Sequence, residues 1–77
     1  MHTAEEIINE LENATKSDKE LITRAYNFAQ KAHEGHVRYS GEPYMIHLAA
    51  VGHKLAAMGM GPRTISAGLL HDSIEDT

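Results

Sequence analysis

The stretch Ala67-Gly68-Leu69-Leu70-His71-Asp72-Ser73-Ile74-Glu75-Asp76-Thr77 sets an apolar run directly against four groups that ionise or bind metal. Upstream of His71, a helix through Ile65, Ala67, Leu69 and Leu70 is apolar nearly all round, so it needs neighbours on several sides. An imidazole and three carboxylates at the end of such a helix are costly to bury unless a positive charge compensates them, and a divalent cation does so economically. Imidazole nitrogen with carboxylate oxygen suits Mn²⁺, Fe²⁺ or Zn²⁺, whereas the absence of cysteine disfavours a closed structural zinc site. If the helix continues, Glu75 follows His71 by one turn and Asp76 follows Asp72 by one turn, so the second pair of acids faces the space of the first. Adjacent carboxylates do not ionise independently, which suits one of them to proton transfer. A bare His-Asp pair also fits a helix that ends in solvated acids, and its surroundings must decide.

Outward from that stretch, the remaining pattern is helical. Gly61 and Pro62 open the last helix, with proline at a first-turn position where its missing N–H costs nothing. A preceding helix is predicted from Tyr44 to about Met58, with Ile46, Ala50, His53 and Ala57 on one face, His47, Val51 and Met58 beside it, and Gly59 as a left-handed cap. Two capping-box patterns, Thr3 with Glu6 and Ser17 with Glu20, start helices at about Ala4 to Asn13 and Asp18 to His33. The second of these shows Leu21, Ala25, Phe28 and Ala32 as its core stripe, widened by Ile22 and Ala29. Between Glu34 and Pro43 the periodicity stops, and Gly35, Ser40, Gly41 and Pro43 supply turn chemistry. With no alternating strand pattern and no repeat, the fold class is all-α, about four helices.

The loop and the helix after it read Gly35-His36-Val37-Arg38-Tyr39-Ser40-Gly41-Glu42-Pro43-Tyr44-Met45-Ile46-His47, and His71-Asp72-Ser73-Ile74-Glu75-Asp76-Thr77 follows at a helix-sized distance. Arg-x-Ser-Gly-Glu-Pro-Tyr-x-x-His followed by His-Asp-x-x-Glu-Asp-Thr resembles the hydrolase domain of the RelA/SpoT homologues, a branch of the HD superfamily, over about Leu21 to Thr77. The resemblance implies that His47, His71 and Asp72 are metal ligands, that Glu75 and Asp76 assist the attacking water, and that Arg38, Ser40 and Tyr44 contact the nucleotide. It implies Mn²⁺ as the metal, and removal of the 3′-diphosphate from guanosine tetraphosphate or pentaphosphate as the reaction. Tyr39 stands where such proteins often carry lysine, and Leu48 where proline is common. The family domain also runs on through further helices to another aspartate ligand, so residues 1–77 read as the N-terminal part of one HD-type hydrolase domain, truncated before that ligand.

Composition bounds the rest. In 77 residues a single thin core is expected, and with no cysteine its stability must come from packing, a metal or a partner. The formal charge of −4 argues against a nucleic-acid partner, while five basic against two acidic residues between Leu21 and Arg63 suit a small anion; the resemblance implies that it is a guanine nucleotide alarmone. No apolar run has the length of a membrane span, and the acidic, amphipathic start does not look like a secretory signal, so a cytoplasmic location is expected. Unpaired apolar helix faces lead to an expectation of homo-oligomers or of docking to the remainder of the domain. His33, His36 and His53 are expected to be satisfied or packed residues rather than ligands, and His2 to be loose. Rival functions are an HD hydrolase of another nucleotide and a non-catalytic helical interaction module that keeps relic ligands.

Overall fold

The computed structural model describes residues 1–75, with side chains through His71. The expectations placed on Asp72 and Glu75 as side chains, and on Asp76, therefore lie outside the described residues. Four helices follow in order: α1 (Ala4–Asn9), α2 (Lys16–Ala32), α3 (Tyr44–Ala57) and α4 (Pro62–Glu75). Helix α4 packs on α2 and α3, and α1 lies against α2 and α3. Each helix contributes to the fully buried set of Ile7, Ile22, Leu48, Ile65 and Leu69. A side chain of this kind stabilises the fold by roughly 1.5–3 kcal/mol when it leaves water. No helix of the described residues is long and apolar enough to cross a membrane.

Local chemistry explains the helix ends, with two corrections to the sequence reading. Helix α1 stops at Asn9 rather than Asn13, because the Glu10 and Leu11 amides tighten onto Ile7 and Ile8 and the chain reverses through Asn13 in the left-handed region (φ 56). Helix α2 is capped by Thr15 and not by Ser17: the Thr15 hydroxyl accepts from the Asp18 amide (3.1 Å) while the Asp18 carboxylate accepts from the Thr15 amide (3.0 Å). Both sequences satisfy the same local rule, and the early reversal at Asn13 selects the earlier one. Helix α3 ends as expected, with Gly59 at φ 82 and the Gly59 and Met60 amides donating to the carbonyls of Ala56 and Leu55.

The buried faces differ from those predicted. In α2 the stripe is Ile22, Ala25, Tyr26 and Ala29, while Leu21 and Phe28 lie exposed at its margin. In α3 the core face is Met45, Leu48, Ala49, Gly52 and Ala56, and Ala50 and Ala57 are exposed. Because α3 is apolar on nearly every side, its composition does not single out one face, and contact with α4 does. That contact is close. A Cβ added at Gly52 would stand 2.9 Å from Leu69 Cδ2, and one at Gly68 would stand 2.6 Å from Leu55 Cδ1. Two glycines therefore let α3 and α4 approach closely.

The N-terminus is tied down rather than loose. Tyr26 Oη donates to the His2 carbonyl (2.7 Å), and the His2 ring stacks on His53 (3.9 Å between centroids). Burial pushes the Tyr26 phenol above its ordinary pKa, so it stays a donor throughout the neutral range. His53 also lies 3.2 Å from a Glu10 carboxylate oxygen, in keeping with the packed role expected of it.

Candidate functional site

The segment between α2 and α3 folds into a small hairpin. The Gly41 amide donates to Arg38 O (2.8 Å), the Arg38 amide to Glu42 O (2.9 Å), and the Tyr44 amide to His36 O (2.8 Å), with Val37 and Pro43 bridged antiparallel. Gly41 takes φ 88, a conformation in which an L side chain is strained. The hairpin holds Arg38 exposed, and Val37, Arg38, Tyr39 and Tyr44 line an open pocket of about 400 Å³. Two of the three expected nucleotide contacts, Arg38 and Tyr44, thus come together. The third, Ser40, faces its own loop, where its hydroxyl accepts from the Glu42 amide at 3.5 Å. A guanidinium beside two phenol rings is suited to stacking on a planar base or forking onto phosphate oxygens. Tyr39 at the hairpin tip belongs to this pocket and is fully exposed.

His47 lies in the first turns of α3, half-buried, with the Tyr44 ring edge-on to it at 5.8 Å. His71 lies on α4, exposed, with Nδ1 2.5 Å from Gly68 O. A carbonyl oxygen only accepts, so Nδ1 carries the proton and Nε2 is the acceptor nitrogen, the tautomer in which a metal-ligating histidine is commonly held. Helix α3 carries His47 and helix α4 carries His71, and the two helices pack together where Gly52 meets Leu69. Among the described residues no three His, Cys, Asp or Glu side chains close on a common centre, and Asp72, the third expected donor, is outside the described side chains. The two imidazoles, one of them in a ligand tautomer, are compatible with a divalent ion.

His33 is a satisfied and packed helix-end residue, as expected, but its stacking partner was not anticipated. It caps the C-terminus of α2, is 4% exposed, and stacks on Tyr44 with centroids 4.7 Å apart. Its Nδ1 shares a hydrogen bond with His36 Nδ1 at 3.3 Å. The only sequence signal was the His-x-x-His spacing at a helix end beside the loop.

The family model described as "HD domain" matches residues 25–77. The chain is 54% identical over 56 residues to the GTP pyrophosphokinase of Streptomyces coelicolor, covering 73% of this chain and 7% of that protein. It is 47% identical over 73 residues to the guanosine-3′,5′-bis(diphosphate) 3′-pyrophosphohydrolase of Aquifex aeolicus, covering 95% of this chain and 10% of that protein. It is also 45% identical over 62 residues to the bifunctional (p)ppGpp synthase/hydrolase RelA of Mycobacterium tuberculosis, covering 80% and 8% respectively. The chain thus spans about a tenth or less of the length of these relatives. On these matches the chain belongs to the HD domain family, in its RelA/SpoT branch.

Proposed function

We propose that the chain is the metal-holding and nucleotide-contacting part of an HD-type hydrolase domain that removes the 3′-diphosphate of guanosine tetraphosphate or pentaphosphate. The observation that carries this reading is Tyr44, which lines the Arg38 pocket on one side and meets the His47 ring on the other. A nucleotide held at Arg38 is thereby placed next to the helix that bears the first metal donor. His47, His71 and Asp72 would hold the ion, Mn²⁺ by preference, and HD domain hydrolases generally depend on a divalent metal. When bound, the ion supplies Lewis-acid polarisation at a phosphoryl oxygen. Glu75 and Asp76 would assist water in attacking the phosphorus joined to the 3′-oxygen, one carboxylate taking the water's proton; the bond from that phosphorus to the 3′-oxygen breaks and the proton passes to the 3′-oxygen, so the products are pyrophosphate and a nucleotide with a free 3′-hydroxyl. Arg38 and Tyr44 hold and orient the guanine nucleotide, with Ser40 as a contact from the hairpin tip. The same reading takes the chain as the N-terminal part of a single domain, cytoplasmic, with the apolar margin of Leu21 and Phe28 covered by self-association.

The test is a Mn²⁺ titration followed by product analysis. His47→Ala and His71→Ala each abolish high-affinity Mn²⁺ binding, and incubation with guanosine tetraphosphate and Mn²⁺ releases pyrophosphate that the same variants do not release. Unchanged Mn²⁺ affinity in both variants overturns the metal assignment. Release of orthophosphate in place of pyrophosphate overturns the reaction.

A further inference from the structure

We propose that His33 is a positioning residue that sets the orientation of His47 through the ring of Tyr44; the inference rests on the reading of His47 as a metal donor. Helix α3 has no side-chain cap: its N-cap is Pro43, which offers no acceptor to the first-turn amides. Its first turn is anchored from outside instead. The Tyr44 amide is given to the His36 carbonyl (2.8 Å), and the His36 amide to the His33 carbonyl (2.9 Å), so the two histidines bind the end of α2 to the start of α3. The side chains repeat that link. His33 lies nearly flat on Tyr44, with 13° between the ring planes, and Tyr44 is edge-on to His47 at 81°.

An aliphatic residue at position 33 would fill the same buried volume, but it would remove the flat stack on Tyr44. A flat ring fixes that plane, because aromatic rings stack or meet edge to face in few arrangements. The plane of the His33 ring is in turn set by its hydrogen bond to His36, whose ring stands at 80° to it. Burial of an imidazole is costly without such a bond, so the pair is a built feature of this loop. His47 sits three residues after Tyr44, on the adjacent turn of the same helix, so the packing that orients the phenol also limits the imidazole rotamer. His33 thereby pre-orients a donor before any ion arrives, as outer groups around metal sites do.

The experiment compares the 77-residue chain with its His33→Leu, His33→Phe, Tyr44→Leu and His47→Ala variants. Helical dichroism reports folding, the His47 ring resonances in the metal-free chain report orientation, and paramagnetic resonance reports Mn²⁺ affinity. His33→Leu is expected to shift the His47 ring resonances and to weaken Mn²⁺ binding by about tenfold, the lower end of what loss of an outer group costs a metal site. His33→Phe restores most of both, since it keeps a stacked ring. Should His33→Leu fail to fold, Tyr44→Leu removes the middle of the relay and gives the same two changes. Unmoved His47 resonances with wild-type Mn²⁺ affinity, in whichever of these variants folds, overturn the proposal. Equal loss in His33→Leu and His33→Phe does so as well. Wild-type Mn²⁺ affinity in His47→Ala defeats instead the assignment of His47 as a donor, and the resonance shifts then still decide whether His33 orients its ring.

Discussion

Ser66 on α4 is 5% exposed, and its hydroxyl meets no hydrogen-bond partner among the described residues. A buried polar atom left unsatisfied costs about 1–3 kcal/mol, whereas removing it altogether is close to neutral for packing when the change is a single oxygen. Alanine also has the better helix propensity. Ser66→Ala is therefore predicted to stabilise the chain by about 1 kcal/mol, seen as a higher urea midpoint at unchanged slope. A lower midpoint would show that the hydroxyl has a partner in solution and that its loss leaves that partner exposed. His71 shows the opposite situation, a polar group whose bond to Gly68 O assigns its tautomer. The same residue type thus differs in meaning with its surroundings: His53 is paired with Glu10, His33 is buried against a phenol, His47 meets Tyr44 edge-on and His71 bonds Gly68 O.

Among the elements, the α3/α4 pair decides where the site can form, and glycine decides how close that pair is. At Gly52 a new Cβ meets Leu69 and Ile7, both fully buried, so neither side chain can swing into solvent. Overpacking of this kind costs about 1–3 kcal/mol, against a gain of about 1 kcal/mol from replacing a helical glycine. Gly52→Ala is expected to lower stability by about 1 kcal/mol net, a fall of about 4–8 °C in thermal midpoint for a chain of this size. It also spreads the two helices and weakens Mn²⁺ binding. At Gly68 the clash falls on Leu55, which is only half-buried and can turn outward, so Gly68→Ala is the milder change. A Gly52→Ala protein as stable as the original, with the same Mn²⁺ affinity, would remove the close crossing from the account. The sequence made the ends of elements legible where the signal was local, as at Gly59 and Pro62, and it singled out Arg38 and Tyr44, which the hairpin brings to one pocket. It did not reveal the core face of α3, because apolar residues surround that helix and Gly52 adds nothing to a hydrophobic count. Nor did it reveal the stacking of His33 on Tyr44, which depends on a hairpin folding back to bring residue 44 over residue 33.

The molecule as a whole has a thin core that leaves Phe28 58% and Leu21 39% exposed at one margin, so a modest free energy governs whether it is folded. An ion held by donors on two different helices binds the packed form and has no equivalent site in the unfolded chain, so binding adds directly to stability. At a free concentration one hundred times its dissociation constant that addition is about 2.7 kcal/mol, which for a domain of this size raises the thermal midpoint on the order of 10 °C. Mn²⁺ is therefore predicted to raise the midpoint of the wild-type chain by that amount, and to leave His47→Ala and His71→Ala nearly unmoved. The acids Glu5, Glu6, Glu10 and Glu12 near the N-terminus also attract cations, but that attraction is diffuse and common to all three proteins. It adds the same small rise to each and is screened by salt, whereas the rise at a site built on α3 and α4 persists in high salt and needs both histidines. Protein concentration must be held fixed, because self-association through the apolar margin would itself move the midpoint. Equal rises in the wild-type chain and both variants would put the ion on the acidic surface, and α3 and α4 would then be a packed pair with no metal between them.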